Sequence, residues 1–400
     1  MNSCCVIGLG YIGLPTALLL AEAGVNVIGV DINLNIIKNL NKGIIHINES
    51  GIDDLLKNNL KNNNFKISNK SSFADVFLVT VPTPFLKSGD VNIPNLEYIY
   101  AAIDSIIPFL RKGNLVILES TVPVGTTELI SEKILKECEF KKDDIFIAYC
   151  PERVLPGKII FELKNNERIV GGINNESAQK GKQFYEKICK SPINVTDSKT
   201  AELVKLTENA FRDINIAFAN ELSLIADKLD IDIYKLISFT NNHPRVNVLR
   251  PGCGVGGHCI AVDPWFLISE FKDESNLLLA AREVNNNKPY WIIGKIEKYL
   301  DTLDNKSSVK IGIFGITYKP NVNDLRESPA LEIAKYFINK YQVLVCDPNI
   351  KTHSNFKINS IKETIINSDL LVFLVEHTEF KKVNTMNKVI FDFCGILENE

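Results

Sequence analysis

Cys4-Cys5-Val6-Ile7-Gly8-Leu9-Gly10-Tyr11-Ile12-Gly13 opens the chain, and Val25-Asn26-Val27-Ile28-Gly29-Val30-Asp31 follows it. The first apolar run is a short buried strand, Leu14 to Ala23 has helical apolar spacing, and the second run is a strand that ends on Asp31. Between strand and helix lies a G-x-G-x-x-G turn. Gly8 permits the tight turn, Gly10 lets backbone approach a pyrophosphate, and Gly13 lets helix and strand pack closely. A phosphate then sits on the helix N-terminus, where unpaired N–H groups and the helix dipole favour negative charge. Asp31 stands where a carboxylate accepts both ribose hydroxyls and repels a 2′-phosphate, so the cofactor expected is NAD, with Tyr11 and Ile12 completing the turn.

Working outward, apolar runs at Val76–Val81, Leu115–Leu118 and Ile145–Ala148 alternate with helical patterns at Tyr98–Leu110 and Thr126–Cys138. Strands that are apolar throughout imply a parallel sheet covered on both faces. From about Thr200 the pattern changes. Ala201 to Leu229 contains no Gly or Pro, and Leu203, Leu206, Ala210, Ile214, Ala217, Phe218 and Leu222 mark one face of a single long helix. Helical sequence also fills Ile233–Phe239 and Leu277–Tyr299. After the polar stretch Asp301–Ser308, strands are expected at Val309–Gly315, at Gln342–Asp347 (again closing on Asp) and at Asp369–Val375, with a helix at Ser328–Asn339. The fold class is α/β: two Rossmann-like doubly wound domains joined by a central helical domain with one long helix. The expected domains are 1–198, 199–300 and 301–400, two nucleotide-type domains flanking a helical middle, the first of them for NAD.

Composition narrows the partners. Hydrophobic residues make up 45% and charged residues 23%, a globular balance that argues against long disorder. A net charge of −3 offers no basic field for a nucleic-acid backbone. The apolar N-terminus lacks the basic residues of a secretion signal, and no other stretch approaches about 18 unbroken apolar residues, so no membrane span is expected. Nine cysteines without Cys-x-x-Cys or framework spacing fit a reducing cytoplasm.

Several loops carry reactive side chains. Thr83 in Val81-Pro82-Thr83-Pro84 and Thr121 in Glu119-Ser120-Thr121-Val122-Pro123 follow buried strands and are placed to face a cofactor, although Thr before Pro is also ordinary turn chemistry. Glu152 is a candidate general base or a solvated loop charge. Lys205, Asn209 and Asp213 share a helix face at i, i+4 and i+8, whose ordinary meaning is surface pairing. In Gly252-Cys253-Gly254-Val255-Gly256-Gly257-His258-Cys259-Ile260-Ala261-Val262-Asp263-Pro264-Trp265, the glycines imply backbone packed tightly around something. Cys259 beside His258 is a candidate thiolate nucleophile, while Cys253 and the other seven read as small buried hydrophobes. His258, Cys259 and Asp263 on one short loop are too few for a metal site, and none is expected.

These stretches together resemble the UDP-glucose/GDP-mannose dehydrogenase superfamily over nearly the whole length. The resemblance rests on GLGYIGLP (8–15), VPTPF (81–85), ILESTVPVGTT (117–127), AYCPERVLPGK (148–158), KLTENAFRDINIAFANELSLI (205–225), NNHPRVNVLRPG (241–252), GVGGHCIAVDPWF (254–266), AREVNNNKP (281–289) and GITYKPNVNDLRESPA (315–330). It implies NAD-dependent oxidation of a UDP-sugar at C6 to the uronic acid, through a thiohemiacetal and a thioester on the nucleophile. Cys259 matches that nucleophile. Lys205 and Asn209 match the residues that stabilise the oxyanion, and Asp263 the aspartate that positions water. Thr121 matches the threonine at the reacting centre and Glu152 the base for hydrolysis. Lys319 matches a substrate contact and Arg326 a cofactor contact, while Arg245 matches an arginine donated across a dimer interface. A homodimer through the central helix follows, and Arg153, Gly256 and the matched residues are assigned to substrate binding.

Two departures bear on the sugar. UDP-glucose dehydrogenases have a second Glu where this chain has Pro156 and a Lys where it has Val262. Both differences agree with the N-acetylhexosamine branch, for which UDP-N-acetyl-D-mannosamine is the leading substrate and UDP-N-acetylglucosamine or UDP-glucose the alternatives. Arg153 and His243 are the side chains considered for the acetamido group. The Arg usual near the C-terminus is missing around Phe391-Asp392-Phe393-Cys394. A two-electron hydroxyacid-type dehydrogenase and a non-catalytic nucleotide-sugar-binding protein are the readings from other classes; two NADH per sugar would exclude the first, and Cys259 with Lys205, Asn209 and Asp263 opposes the second.

Overall fold

The computed structural model describes residues 1–47, 49–88, 91–155 and 157–397, and the chain forms two compact units, residues 1–207 and 208–400. In the first unit the strands are β1 (Ser3–Ile7), β2 (Asn26–Val30), β3 (Phe65–Ser68), β4 (Val76–Val79), the short antiparallel hairpin β5 (Phe85–Ser88) and β6 (Val91–Pro94), then β7 (Leu115–Leu118), β8 (Phe146–Tyr149), β9 (Arg168–Gly172) and β10 (Ile193–Asp197). Eight of them form one sheet in the order β10-β9-β8-β7-β4-β1-β2-β3. Strand β1 shows why the period works: Cys4 and Val6 join the core on one face, Cys5 and Ile7 the core on the other.

One pairing departs from the all-parallel expectation. β9 runs antiparallel to β8, with Ala148 opposite Gly172 and Tyr149 opposite Gly171. A parallel neighbour needs a crossover to the far end of the sheet, whereas residues 150–155 and 157–167 lead back into β9 at the end where β8 finishes. Arg168, the first residue of β9, is therefore brought back beside the exit of β8, and its guanidinium lies 3.7 Å from Cys150 Sγ.

In the second unit β11 (Lys310–Phe314), β12 (Gln342–Cys346), β13 (Leu370–Phe373) and β14 (Val389–Asp392) form a parallel sheet in the order β12-β11-β13-β14. β14 is not among the strands read from the sequence, because its four residues are exposed or only half-buried and make no buried apolar run. Phe314 stacks on Phe373 at 4.5 Å on one face, and Ile311 and Ile313 fill the other.

The long helix runs Ser198–Lys228 and a second one Asn276–Leu300. The long helix buries mostly alanine and polar residues: Ala201, Ala210, Ala217, Ala219, Ala226, Asn209, Asp213 and Asn220. Leu203 and Phe218, which the apolar spacing puts on a packed face, are exposed. Asp213 pairs with Arg282 at 2.7 Å, and Asn285 donates to the same carboxylate oxygen at 2.8 Å. Asn220 donates to Asn285 at 2.9 Å and accepts the Gly252 N–H at 2.9 Å. Buried polar groups need such partners, and here they fix the second helix and the start of the glycine-rich loop to the long helix. No helix among the described residues is long and apolar enough to cross a membrane.

Candidate active site

The first glycine turn is built as its sequence demands. Gly8 has φ +97°, and a Cβ there would lie 2.9 Å from the Thr80 carbonyl oxygen. A Cβ on Gly13 would lie 1.9 Å from Gly8 O, so helix and turn touch backbone to backbone. A Cβ on Gly10 meets nothing within 4 Å, and Gly10 and Tyr11 are exposed. The helix Gly13–Glu22, headed by Ile12, carries no acidic residue in its first turn, leaving its N-terminus attractive to an anion. Asp31 Oδ2 accepts the Leu9 N–H at 3.0 Å and Oδ1 the Asn33 N–H at 2.8 Å. Each oxygen keeps a lone pair for a ribose hydroxyl, so these residues fit NAD.

Beyond β4 and β7, Thr83 and Thr121 are half-buried in loops at the carboxyl end of the sheet. Past β8, Glu152 and Lys205 come together: the lysine Nζ donates to the Glu152 carbonyl at 2.5 Å. Lys205 thus makes no surface pair with Asn209, and Glu152 is no solvated loop charge. Its Oε1 accepts the Arg153 N–H at 2.5 Å and its Oε2 is buried without a hydrogen-bond partner. Arg153 is exposed and donates to Glu167 O at 3.2 Å. Pro156 lies outside the described residues.

Behind Glu152 stands a buried cluster that sequence reasoning missed. Glu119 Oε1 accepts the Tyr185 hydroxyl at 2.6 Å, and Arg168 lies 3.8 Å from the same oxygen and over the Tyr185 ring. Burial pushes the Glu119 carboxyl up to about 7, with Arg168 pulling it down and Glu152 adding to the rise. The available signal was Glu119 itself, a charge directly after four buried apolar residues, where charge is rare.

In the second unit the glycine-rich loop is held against the turn after β11. Gly257 has φ +81° and donates its N–H to Arg326 O at 3.0 Å, while a Cβ on Gly256 would lie 2.4 Å from Glu327 O and 2.8 Å from Tyr318 Cβ. Of the nine cysteines, all among the described residues, Cys259 alone is exposed. Its carbonyl accepts the Asp263 N–H at 2.8 Å at the head of the helix Pro264–Glu270. Asp263 is buried, and Asn209 donates to its Oδ2 at 2.5 Å. Arg326 forms a bidentate pair with Asp324, and a Cys259 thiolate lies close enough to raise the guanidinium pKa further. That cation favours the thiolate in return. Cys253, by contrast, is pushed up to about 12 by burial. Lys319 is half-buried beside Tyr318, and His243, Arg245 and His258 are exposed.

Residues 2–189, 199–287 and 312–399 match the NAD binding, central and UDP binding domains of the UDP-glucose/GDP-mannose dehydrogenase family. The chain belongs to this family. It is accordingly an NAD-dependent UDP-sugar dehydrogenase, an oxidoreductase. It is 46% identical to a UDP-N-acetyl-D-mannosamine dehydrogenase of Campylobacter jejuni over 98% of this chain and 99% of the other. To an NDP-N-acetyl-D-galactosaminuronic acid dehydrogenase of Ralstonia nicotianae it is 42% identical, over 98% and 95%. The solved UDP-D-ManNAc dehydrogenase of Pyrococcus horikoshii superposes with a TM-score of 0.92 at 37% identity, covering 100% of this chain and 96% of that one.

Two measurements test this geometry. Asp31→Ala removes both backbone clamps and the ribose acceptor, and calorimetry should show NAD binding about tenfold weaker, the equivalent of one lost polar contact. Unchanged affinity would place the cofactor elsewhere. Glu119 binds its proton more tightly folded than unfolded, so its contribution to stability is present below the ordinary Glu pKa and lost as pH rises toward about 7. Glu119→Gln should therefore flatten the fall in Tm between pH 5 and pH 8, and an unchanged slope would show that Glu119 ionises normally.

Proposed function

We propose that the enzyme oxidises UDP-N-acetyl-D-mannosamine at C6 to UDP-N-acetyl-D-mannosaminuronate, with two NAD consumed per sugar and Cys259 as the covalent nucleophile. The observation that carries the reading is the single exposed thiol, held on a loop where Gly254, Gly256 and Gly257 leave no room for a Cβ, just ahead of a buried Asp263 tied to Asn209. Bound NAD supplies the hydride acceptor. The remaining work falls to the chain. After the C6 hydroxyl gives its proton to water and the first hydride leaves C6, the Cys259 thiolate adds to the aldehyde carbon and the former carbonyl oxygen becomes an alkoxide, which Lys205 and Asn209 stabilise. Loss of the second hydride gives the thioester. Water, deprotonated by Glu152 and oriented by Asp263 with Lys205, attacks that carbon; the C–S bond breaks and the thiolate returns. Thr121 stands at the reacting centre.

This scheme gives roles to Thr121, Glu152, Lys205, Asn209, Cys259 and Asp263. The long helix supports it by carrying Lys205 and Asn209 one turn apart on one continuous element. Thr83 and Arg326 are assigned to the cofactor, and Arg153, Arg245, Gly256 and Lys319 to the nucleotide sugar. The division 1–198, 199–300 and 301–400 belongs to the same reading and is supported by the three family matches; a cytoplasmic setting belongs to it as well. The choice of sugar draws on the names of the relatives and on Val262 in place of a lysine.

The reading also includes a homodimer. Phe211, Phe218 and Ile225 recur at seven-residue spacing on the long helix, and each is more than half exposed. Aligned apolar side chains of this size mark an interface, and a two-fold copy of the same stripe is the simplest cover.

Cys259→Ser should abolish uronate formation while NAD binding persists, and unmutated enzyme should yield two NADH per sugar. Near-normal acid production by the serine variant would remove Cys259 from the chemistry. In a panel with UDP-N-acetylglucosamine and UDP-glucose, UDP-N-acetyl-D-mannosamine should give the highest kcat/KM; a different winner overturns the sugar. Phe218→Asp should convert a dimer to a monomer by light scattering, and an intact dimer would move the interface off this stripe.

A further inference from the structure

His377, in the loop after β13, is fully buried, and its two ring nitrogens face different partners. Nδ1 accepts the backbone N–H of Asn321 at 3.0 Å and lies 2.9 Å from the Asn349 side-chain nitrogen. Nε2 lies 3.1 Å from Asp347 Oδ2 and 3.1 Å from Thr317 Oγ1. A backbone N–H can only donate, so Nδ1 carries no proton. A carboxylate can only accept, so Nε2 carries it. The partners thus define one neutral tautomer.

What this ring holds is the turn 317–321, which bears Lys319. At one end, Asp347 Oδ2 accepts the Ile316 N–H at 2.8 Å and the Thr317 N–H at 3.3 Å, and Thr317 Oγ1 donates to Lys319 O at 3.0 Å. At the other end, Asn321 sits in the left-handed region at φ +58°, a conformation unfavourable for a side-chain-bearing residue unless its surroundings enforce it. Its N–H is taken by His377. Its side chain exchanges hydrogen bonds with Thr378, Nδ2 to Oγ1 at 2.9 Å and Thr378 N–H to Oδ1 at 3.0 Å. The His377 loop thereby fastens both ends of a turn that makes no regular secondary structure.

We propose that His377 is a positioning residue for the nucleotide sugar: through Nδ1 to Asn321 and Nε2 to Asp347 it locks the 317–321 turn and so presents Lys319 to the UDP-sugar. The inference rests on the reading that Lys319 meets substrate. His377 itself is buried and touches no reacting atom. Its effect falls on binding and not on turnover, because an unlocked turn must be ordered again each time ligand binds.

The test compares two amides in the full-length protein. Glutamine places its amide near the Nε2 position, keeping a donor for Asp347 and losing the acceptor for Asn321. Asparagine places its oxygen near Nδ1 and does the reverse. His377→Gln is expected to weaken UDP binding by calorimetry about tenfold and to raise KM for the sugar equally, with kcat and NAD affinity unchanged. His377→Asn is expected to recover most of that loss. Equal losses in both variants, or a fall in kcat with KM unchanged, would reduce His377 to a packing residue and overturn the proposal. Lys319→Ala separates the two layers. If it weakens UDP binding while His377→Gln does not, the proposal fails and the reading of Lys319 stands; if Lys319→Ala binds UDP normally, both fall. Should the glutamine variant not fold, imidazole nitrogen NMR of the unmutated protein decides, with one of the five histidines expected in a fixed, neutral Nε2–H form. Tautomer exchange at His377 would overturn the lock.

Discussion

A carboxylate at the end of the second strand, accepting the N–H just past a left-handed glycine, is the interaction on which both nucleotide-type sheets depend. In the first unit Asp31 Oδ2 holds Leu9 N and Oδ1 holds Asn33 N; in the second, Asp347 Oδ2 holds Ile316 N and Oδ1 holds Asn349 N. Gly8 and Gly315 sit at φ +97° and +87°, and each donates its own N–H to the last residue of the neighbouring strand at 2.8 Å. The turn is rigid because backbone N–H groups close on one side chain, two on Asp31 and, with Thr317 N, three on Asp347. In the first unit it leads to an open helix N-terminus. In the second, a buried imidazole occupies the carboxylate, and burial of Asp347 is outweighed by His377 and the backbone N–H groups that hold its pKa low. One local device thus stands beside an open helix N-terminus in one place and orders a loop in the other.

The features legible in the sequence were those with a local cause. Gly8, Gly10, Gly13 and Asp31 fall within one strand-turn-helix-strand unit, and their spacing alone sets what they can do. The two sheets and the long helix were likewise readable, since a buried strand or a helix without Gly or Pro announces itself over a few residues. Asp213 was not. Its partner Arg282 lies 69 residues further on, and the i, i+4 spacing to Asn209 pointed at a surface pairing that does not exist. Leu203 and Phe218 misled in the opposite sense, for periodicity says which residues share a face and not what covers it.

The candidate site was legible in its members more than in its supports. Cys259, Asp263 and Asn209 could be named from their motifs, and the exposure of Cys259 against the burial of Asp263 and Asn209 is what the fold adds. Glu119, Arg168, Tyr185 and His377 gave little warning. Arg168 reaches Glu119 only because β9 doubles back antiparallel beside β8, a reversal that no alternation of apolar runs encodes. Supporting residues of this kind are set by topology, and a single sequence read along its length carries topology poorly.

The distribution of the nine thiols has a consequence for selectivity. Burial raises the pKa of Cys4, Cys5, Cys138, Cys150, Cys253, Cys346 and Cys394, to about 12 for three of them, so at neutral pH these sulfurs are protonated and nearly inert to electrophiles. The chain therefore needs no purge of cysteine from its composition to own a distinctive nucleophile. Solvation does the sorting, and a small electrophile meeting the folded protein finds one exposed thiol, Cys259.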